Sequence, residues 1–220
     1  MYTPAHFEEK RPEVLHGLIG AHPLGLLITL GQGGLDANPI PFELAPEPAP
    51  FGTLRAHVAR ANPVWQDFSR DVETLVVFQG PQAYITPSWY VATKPDSGKV
   101  VPTWNYCIVH ARGPLRVIDD RDWLRALVGR LTARFEAGRA APWSVADAPA
   151  DFIEKQLAAI VGIEIPIAKL TGKWKVSQNR AESDRAGVVA GLRAEGTPDA
   201  AAMAAQVARP GSILGTTKDH

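Results

Sequence analysis

Short apolar runs punctuated by Gly and Pro organise the first half of this chain, and Ala-rich stretches organise its end. Phe7, Val14, Leu15, Leu18 and Ile19 recur near helical spacing, which predicts a turn and then a helix between Pro4 and His22. Pro12 suits the first turn of that helix, and Pro23 stops it. Leu24 to Leu30 (LGLLITL) is a continuous apolar run between Pro23 and Gly31, the pattern of a buried strand. Residues 31–34 read as a turn and 35–44 as the returning arm of a hairpin, with Pro39 and Pro41 demoting that arm to an edge or bulged strand. Residues 45–50 form a Pro-rich surface loop. Phe51 to Val58 alternates as a strand does, and Asn62-Pro63 opens a short helix through Ser69. Glu73 to Gln79 reads as a buried strand, Gly80-Pro81 as a turn, and Gln82 to Ile85 as the next strand.

Ala92 to Lys99 is polar and reads as an exposed loop. Two further strands follow, 100–110 and 114–118, broken at Gly113. Asp119-Asp120 starts a helix whose apolar face is Trp123, Leu124, Leu127, Val128, Leu131 and Phe135. A second helix spans 151–159 and a strand 160–165. The chain ends in two Ala-rich helices, near 182–194 and 198–208. Six or seven strands at hairpin spacing with flanking helices predict an α+β protein, mainly β, built on a closed or partly closed barrel.

Lys+Arg and Asp+Glu are equal at 23 each, so the net charge is zero. That argues against a general polyanion binder, whose footprint is a basic excess. The one cysteine, Cys107, lies in an apolar run and reads as a small buried hydrophobe. No apolar stretch reaches membrane-spanning length, and residues 1–11 lack the apolar segment of a signal peptide. The expectation is a soluble, cytoplasmic protein.

Sequence motifs for a nucleophile elbow, a dinucleotide fingerprint and a phosphate loop are absent. The six histidines show no metal-ligand spacing, so no metal is expected. The chemistry-bearing residues gather elsewhere. Tyr84-Ile85-Thr86-Pro87-Ser88-Trp89-Tyr90 and Thr103-Trp104-Asn105-Tyr106 interleave flat rings with hydroxyls and an amide. Such a mixture suits a flat ligand with polar atoms and a phosphate, or ordinary packing on a sheet. Arg55 and His57 share one strand face by period-two alternation, where they either hold a phosphate or form a solvated face. Lys169 to Arg180 (KLTGKWKVSQNR) carries Lys169, Lys173, Lys175 and Arg180 and no acid, so it is either a local anion site or a surface patch. The last helix lacks base-reading or phosphate-binding side chains, so the C-terminal pair reads as packing or dimer contact and not as a DNA-reading module.

Five segments occur in order: Met1-Tyr2-Thr3-Pro4-Ala5-His6-Phe7; Leu54-Arg55-Ala56-His57-Val58-Ala59-Arg60-Ala61-Asn62-Pro63; Ile85-Thr86-Pro87-Ser88-Trp89-Tyr90; Val101-Pro102-Thr103-Trp104-Asn105-Tyr106 through Val109-His110; and Lys173-Trp174-Lys175-Val176-Ser177-Gln178-Asn179-Arg180. Together they resemble the PaiB family of FMN-binding negative transcriptional regulators, over residues 1 to about 192. The resemblance implies an FMN-binding split β-barrel, a homodimer with flavin sites at the interface, and a regulatory role in which direct DNA binding is open. It divides the chain into a split-barrel domain (1–180), C-terminal helices packed on the barrel or on a partner (181–208) and a flexible tail (209–220). Trp89, Tyr90, Trp104 and Tyr106 would wall the flavin. Ser88, Thr103 and Asn105 would hydrogen-bond it, with Gln178 and Asn179 alongside. Arg55, His57 and Lys173 or Lys175 would hold the phosphate. The chain departs from the family pattern at Pro39, which stands where relatives carry a His before the Pro of the second strand. Alternatives carried forward are an NAD(P)H-linked flavin oxidoreductase, a direct DNA binder and a haem-binding split barrel.

Overall fold

A computed structural model describes residues 1–212. A 3-10 turn, Ala5–Phe7, leads into strand β1 (Glu8–Glu9), helix α1 (Pro12–Ala21), then β2 (Leu24–Gly31), β3 (Gly34–Pro41), β4 (Glu43–Ala45), β5 (Thr53–Ala59) and β6 (Thr74–Ile85). After a short helix α2 (Thr93–Ser97) come β7 (Thr103–Gly113), β8 (Arg116–Ile118), α3 (Arg121–Glu136), α4 (Ala150–Ala158), β9 (Ile160–Pro166), β10 (Lys169–Lys175), α5 (Glu182–Glu195) and α6 (Pro198–Ala208). The described chain forms two compact units. The expected flexible tail falls largely on residues 213–220, which lie outside the described residues.

The first unit comprises Met1–His22, Phe78–His110 and the chain from Leu170. Its strands run in the order β1, β10, β7, β6. Helix α1 buries Val14, Leu15, Leu18 and Ile19, the four positions its sequence period selects. Two glycines let it approach the sheet. A Cβ at Gly172 would lie 2.2 Å from Leu15, and one at Gly80 would lie 2.8 Å from Leu18. The expected turn at Gly80-Pro81 is instead the middle of one twelve-residue strand, β6. Burial falls on even positions through Gly80 and on odd positions from Pro81, a one-residue slip of the kind a β-bulge introduces. Such a slip accommodates a proline inside a strand.

Helices α5 and α6 are joined through Gly196 at φ 68°, and Thr197 caps α6 by accepting from Ala200 N–H. Trp174 on β10 donates its Nε1–H to buried Gln206 of α6 at 3.0 Å.

The second unit comprises Pro23–Val77 and Ala111–Lys169. Here β2 and β3 form a hairpin in register from Leu24↔Pro41 to Gly31↔Gly34, and β2 also pairs with the first residues of β6. The expected edge role of the proline-bearing β3 matches its end position in the strand order. A four-stranded sheet runs β4, β5, β9, β8. Leu54, Ala56, Val58, Val161, Ile163 and Ile165 are buried on its inner face. The other face carries Arg55 and His57. Helix α3 packs on it at Gly162, where a Cβ would lie 2.4 Å from the Trp123 ring. Asp120 caps α3, accepting from Trp123 N–H at 2.8 Å, as the Asp119-Asp120 pair foretold.

The sequence expectation of a fully buried β2 does not hold. Leu24 is 64 % exposed, Leu26 38 % and Leu30 40 %, while Leu27 is fully buried. The strand has one inner and one outer face, and its outer face is apolar too. A continuous apolar run cannot distinguish burial inside the chain from an apolar surface.

Candidate functional site

In the first unit, the ends of β7 and β10 converge on a pocket of about 170 Å³ lined by Phe7, Tyr90, Val101, Thr103, Asn105, Lys175, Ser177, Asn179 and Arg180. Its floor is set by Asn105, which is buried and donates its amide N–H to Ser177 Oγ at 2.9 Å. Ser177 has φ 63°, the left-handed region that non-glycine residues rarely occupy. This backbone bend turns the chain after β10 back across the end of β7. Gln178 braces the bend: its Oε1 accepts from Val176 N–H at 2.8 Å and its amide donates to the Trp174 carbonyl. Arg180 closes the loop with its backbone N–H on the Ser177 carbonyl at 3.0 Å. Its guanidinium lies 4.7 Å from the centre of the buried Tyr90 ring, a cation–π contact that holds the charge at the pocket.

Lys175 is the second cation. Its ammonium donates to Thr103 Oγ1 and, at 2.7 Å, to the Trp104 carbonyl. Burial depresses its pKa, and the like charges of Lys173 and Arg180 add to the effect. A desolvated cation beside other cations is unfavourable until an anion arrives. The donors gathered here, an ammonium, a guanidinium and the hydroxyls of Thr103 and Ser177, match a phosphate's acceptor oxygens. Arg180 is not wholly unbalanced, because buried Asp184 feels its charge. Three hydrogen bonds already occupy that carboxylate, from Ala92 N–H, Thr93 N–H and Thr93 Oγ1.

Of the residues singled out from sequence, the pocket gathers Tyr90, Thr103, Asn105, Lys175 and Asn179. The others stand elsewhere. Trp104 is on the opposite face of β7 from Asn105, 55 % exposed, with its ring edge-on to Tyr84 at 6.0 Å. Lys173 is buried; its ammonium donates to the Tyr2 carbonyl at 3.1 Å and sits over the Tyr106 ring at 5.2 Å. Ser88 is exposed and bonded to Thr86 at 2.9 Å. Trp89 packs against α5, where Cβ atoms at Gly187 and Gly191 would each lie 2.2 Å from it. In the second unit, Arg55 pairs with Glu164, its cross-strand neighbour, at 2.9 Å, and His57 lines a different cavity. Arg180, from the acid-free basic run, lines the pocket too, and Ser177, Phe7 and Val101 are pocket residues given no role from sequence. Arg180 was legible as the end of an acid-free basic run. The positive φ of Ser177 left no mark in the sequence.

Residues 1–169 match the family model described as "Putative FMN-binding domain". The chain belongs to this family. Its cofactor is FMN. Lys175, Ser177, Asn179 and Arg180 lie beyond the matched residues, but full-length relatives extend across them. The protease synthase and sporulation protein PAI 2 of Bacillus subtilis is 31% identical over 93% of this chain and 95% of its own length. The uncharacterized protein AN0679 of Emericella nidulans is 35% identical over 95% of this chain and 96% of its own. Among solved structures, the FAD and heme binding protein of Mycobacterium smegmatis aligns with TM-score 0.56 at 20% identity, covering 81% of this chain and 78% of that one. The flavocytochrome Anf3 of Azotobacter vinelandii aligns with TM-score 0.56 at 14% identity, covering 82% and 75%. These likenesses give the fold, a mixed α+β split barrel with antiparallel sheets. No helix among the described residues is long and apolar enough to cross a membrane.

The pocket fits one end of FMN. A cavity of about 150 Å³ takes a single benzene ring. The 170 Å³ here therefore suits a phosphate and the start of the ribityl chain, and not a three-ring isoalloxazine as well.

Proposed function

We propose that this protein is a homodimeric FMN-binding regulator of the PaiB type, with the flavin phosphate seated on Lys175 and Arg180. The observation that carries the reading is the half-buried Lys175, whose charge has hydroxyl and carbonyl neighbours but, among the described residues, no carboxylate bonded to it. Thr103 and Asn179 would complete the phosphate's hydrogen bonds, and Tyr90 holds Arg180 in place. FMN supplies the redox chemistry when bound, and the protein positions and excludes water.

Dimerisation is supported by the outer face of the β2–β3 hairpin. Register puts Leu24 against Pro41, Leu26 against Pro39, Ile28 against Ala37 and Leu30 against Leu35, so every position on that face is apolar. An exposed, contiguous apolar patch marks an interaction surface. A second copy would cover it, and the partner would supply the walls that a 170 Å³ pocket lacks for the isoalloxazine. Pro39 takes part in this face and is not among the residues lining the phosphate pocket. The regulatory role rests on the likeness to PAI 2 of Bacillus subtilis.

The test is a visible spectrum of the protein purified without added cofactor, followed by FMN titration. A flavin band or saturable binding at one FMN per chain is expected. Colourless protein that ignores FMN contradicts the reading.

A further inference from the structure

A second cavity, also about 170 Å³, lies in the other unit between the outer face of β5 and β9 and helices α3 and α4. Its walls are largely apolar: Val128 from α3, Ile153 and Leu157 from α4, Val145 and Trp143 from the loop between them, and Ile160 from β9. Its polar lining residues are Arg125, the exposed Gln156 and His57, and the buried Nδ1 of His57 has no hydrogen-bond partner among the described residues. A buried imidazole nitrogen left unpaired costs free energy, so some group is expected to satisfy it. Burial also depresses the His57 pKa, which keeps the ring neutral near pH 7. At the rim, Arg125 is engaged by Glu154, which Arg121 also contacts.

We infer that this cavity is a binding site for a small uncharged single-ring aromatic molecule bearing one hydroxyl or amide, with His57 as its polar contact. Size sets the ring count, since about 150 Å³ of apolar space holds one benzene ring. The apolar walls favour an uncharged ligand, because a neutral His57 alone would not offset the desolvation of an ionised one. A hydroxyl serves either neutral tautomer of His57, accepting from Nδ1–H or donating to a bare Nδ1. Trp143, 46 % exposed at the rim, would close over the bound ring.

The probes are phenol and toluene, titrated calorimetrically into the full chain as purified, with the His57 ring protons followed by NMR. Saturable phenol binding with a shift of the His57 ring signals is expected. His57→Phe should weaken phenol about five- to tenfold while leaving toluene nearly unchanged, the signature of one lost hydrogen bond. Val128→Trp should fill the cavity and abolish both while retaining FMN binding. If His57→Phe does not fold, the NMR shift and Val128→Trp decide the matter alone. The inference is overturned if neither probe moves the His57 signals, if Val128→Trp leaves binding intact, or if phenol displaces the flavin.

Discussion

Lys175 is where charge, burial and ligand chemistry meet at the scale of one residue. Its folded pKa lies below the ordinary value of 10.5, through burial first and then the charges of Lys173 and Arg180. The unfolded chain therefore holds this proton to higher pH than the folded chain does. Stability rises as pH climbs through the window between the depressed folded value and the ordinary one. Lys175→Met should flatten that part of the stability–pH curve, measured by thermal unfolding from neutral pH upward, and should reduce the stabilisation FMN confers. An unchanged slope would remove Lys175 from this role. Sequence made Lys175, Thr103 and Asn105 legible as chemistry-bearing types. It could not reveal that Lys173, two residues away on the same strand, is committed to Tyr2 and Tyr106. Nor could it show that Arg55 faces its cross-strand partner Glu164. Strand register decides these pairings, and register depends on the other strand.

At the scale of elements, α5 is held by its contact with the Pro87–Trp89 turn. Gly191 would gain about 1 kcal/mol of helix propensity as alanine. A Cβ there would overlap the Trp89 ring at 2.2 Å, and overpacking costs about 1–3 kcal/mol. Gly191→Ala should therefore destabilise the protein in a denaturant titration. A stabilised variant would show that Trp89 moves away freely. The helices were legible because their apolar period and capping residues act within one segment, as at Asp120 and Thr197. Strand β6 was not, because Gly80-Pro81 has the composition of a turn. Only close approach to Leu18 gives that glycine its reason. The polar stretch after Ala92 folds as the short helix α2, fastened through Thr93 to Asp184 about ninety residues on.

For the whole molecule, the two compact units left no mark in the sequence, because β6 and β7 each contribute residues to both. The architecture was nevertheless legible, since strands at hairpin spacing predicted a barrel and the five ordered segments resembled a flavin-binding family. The proposed assembly came from sequence only as a resemblance, and the apolar outer face of β2 and β3 is the surface offered for it. Leu26→Asp places a carboxylate in the middle of that face, against Pro39 and Val77. Sedimentation should show a dimer for the unaltered protein and a monomer for the variant. Two species of equal mass would locate the contact elsewhere.

The central claim, a flavin phosphate on Lys175 and Arg180, is tested most directly by comparing FMN with riboflavin, which lacks only the phosphate. Charge-assisted hydrogen bonds of about 1.5–3 kcal/mol each correspond to roughly ten- to hundredfold in affinity. The unaltered protein should bind FMN at least about tenfold more tightly than riboflavin, and Lys175→Met with Arg180→Met should bring the two ligands to similar affinity. Equal affinities in the unaltered protein, or an undiminished FMN preference in the double variant, would contradict the account.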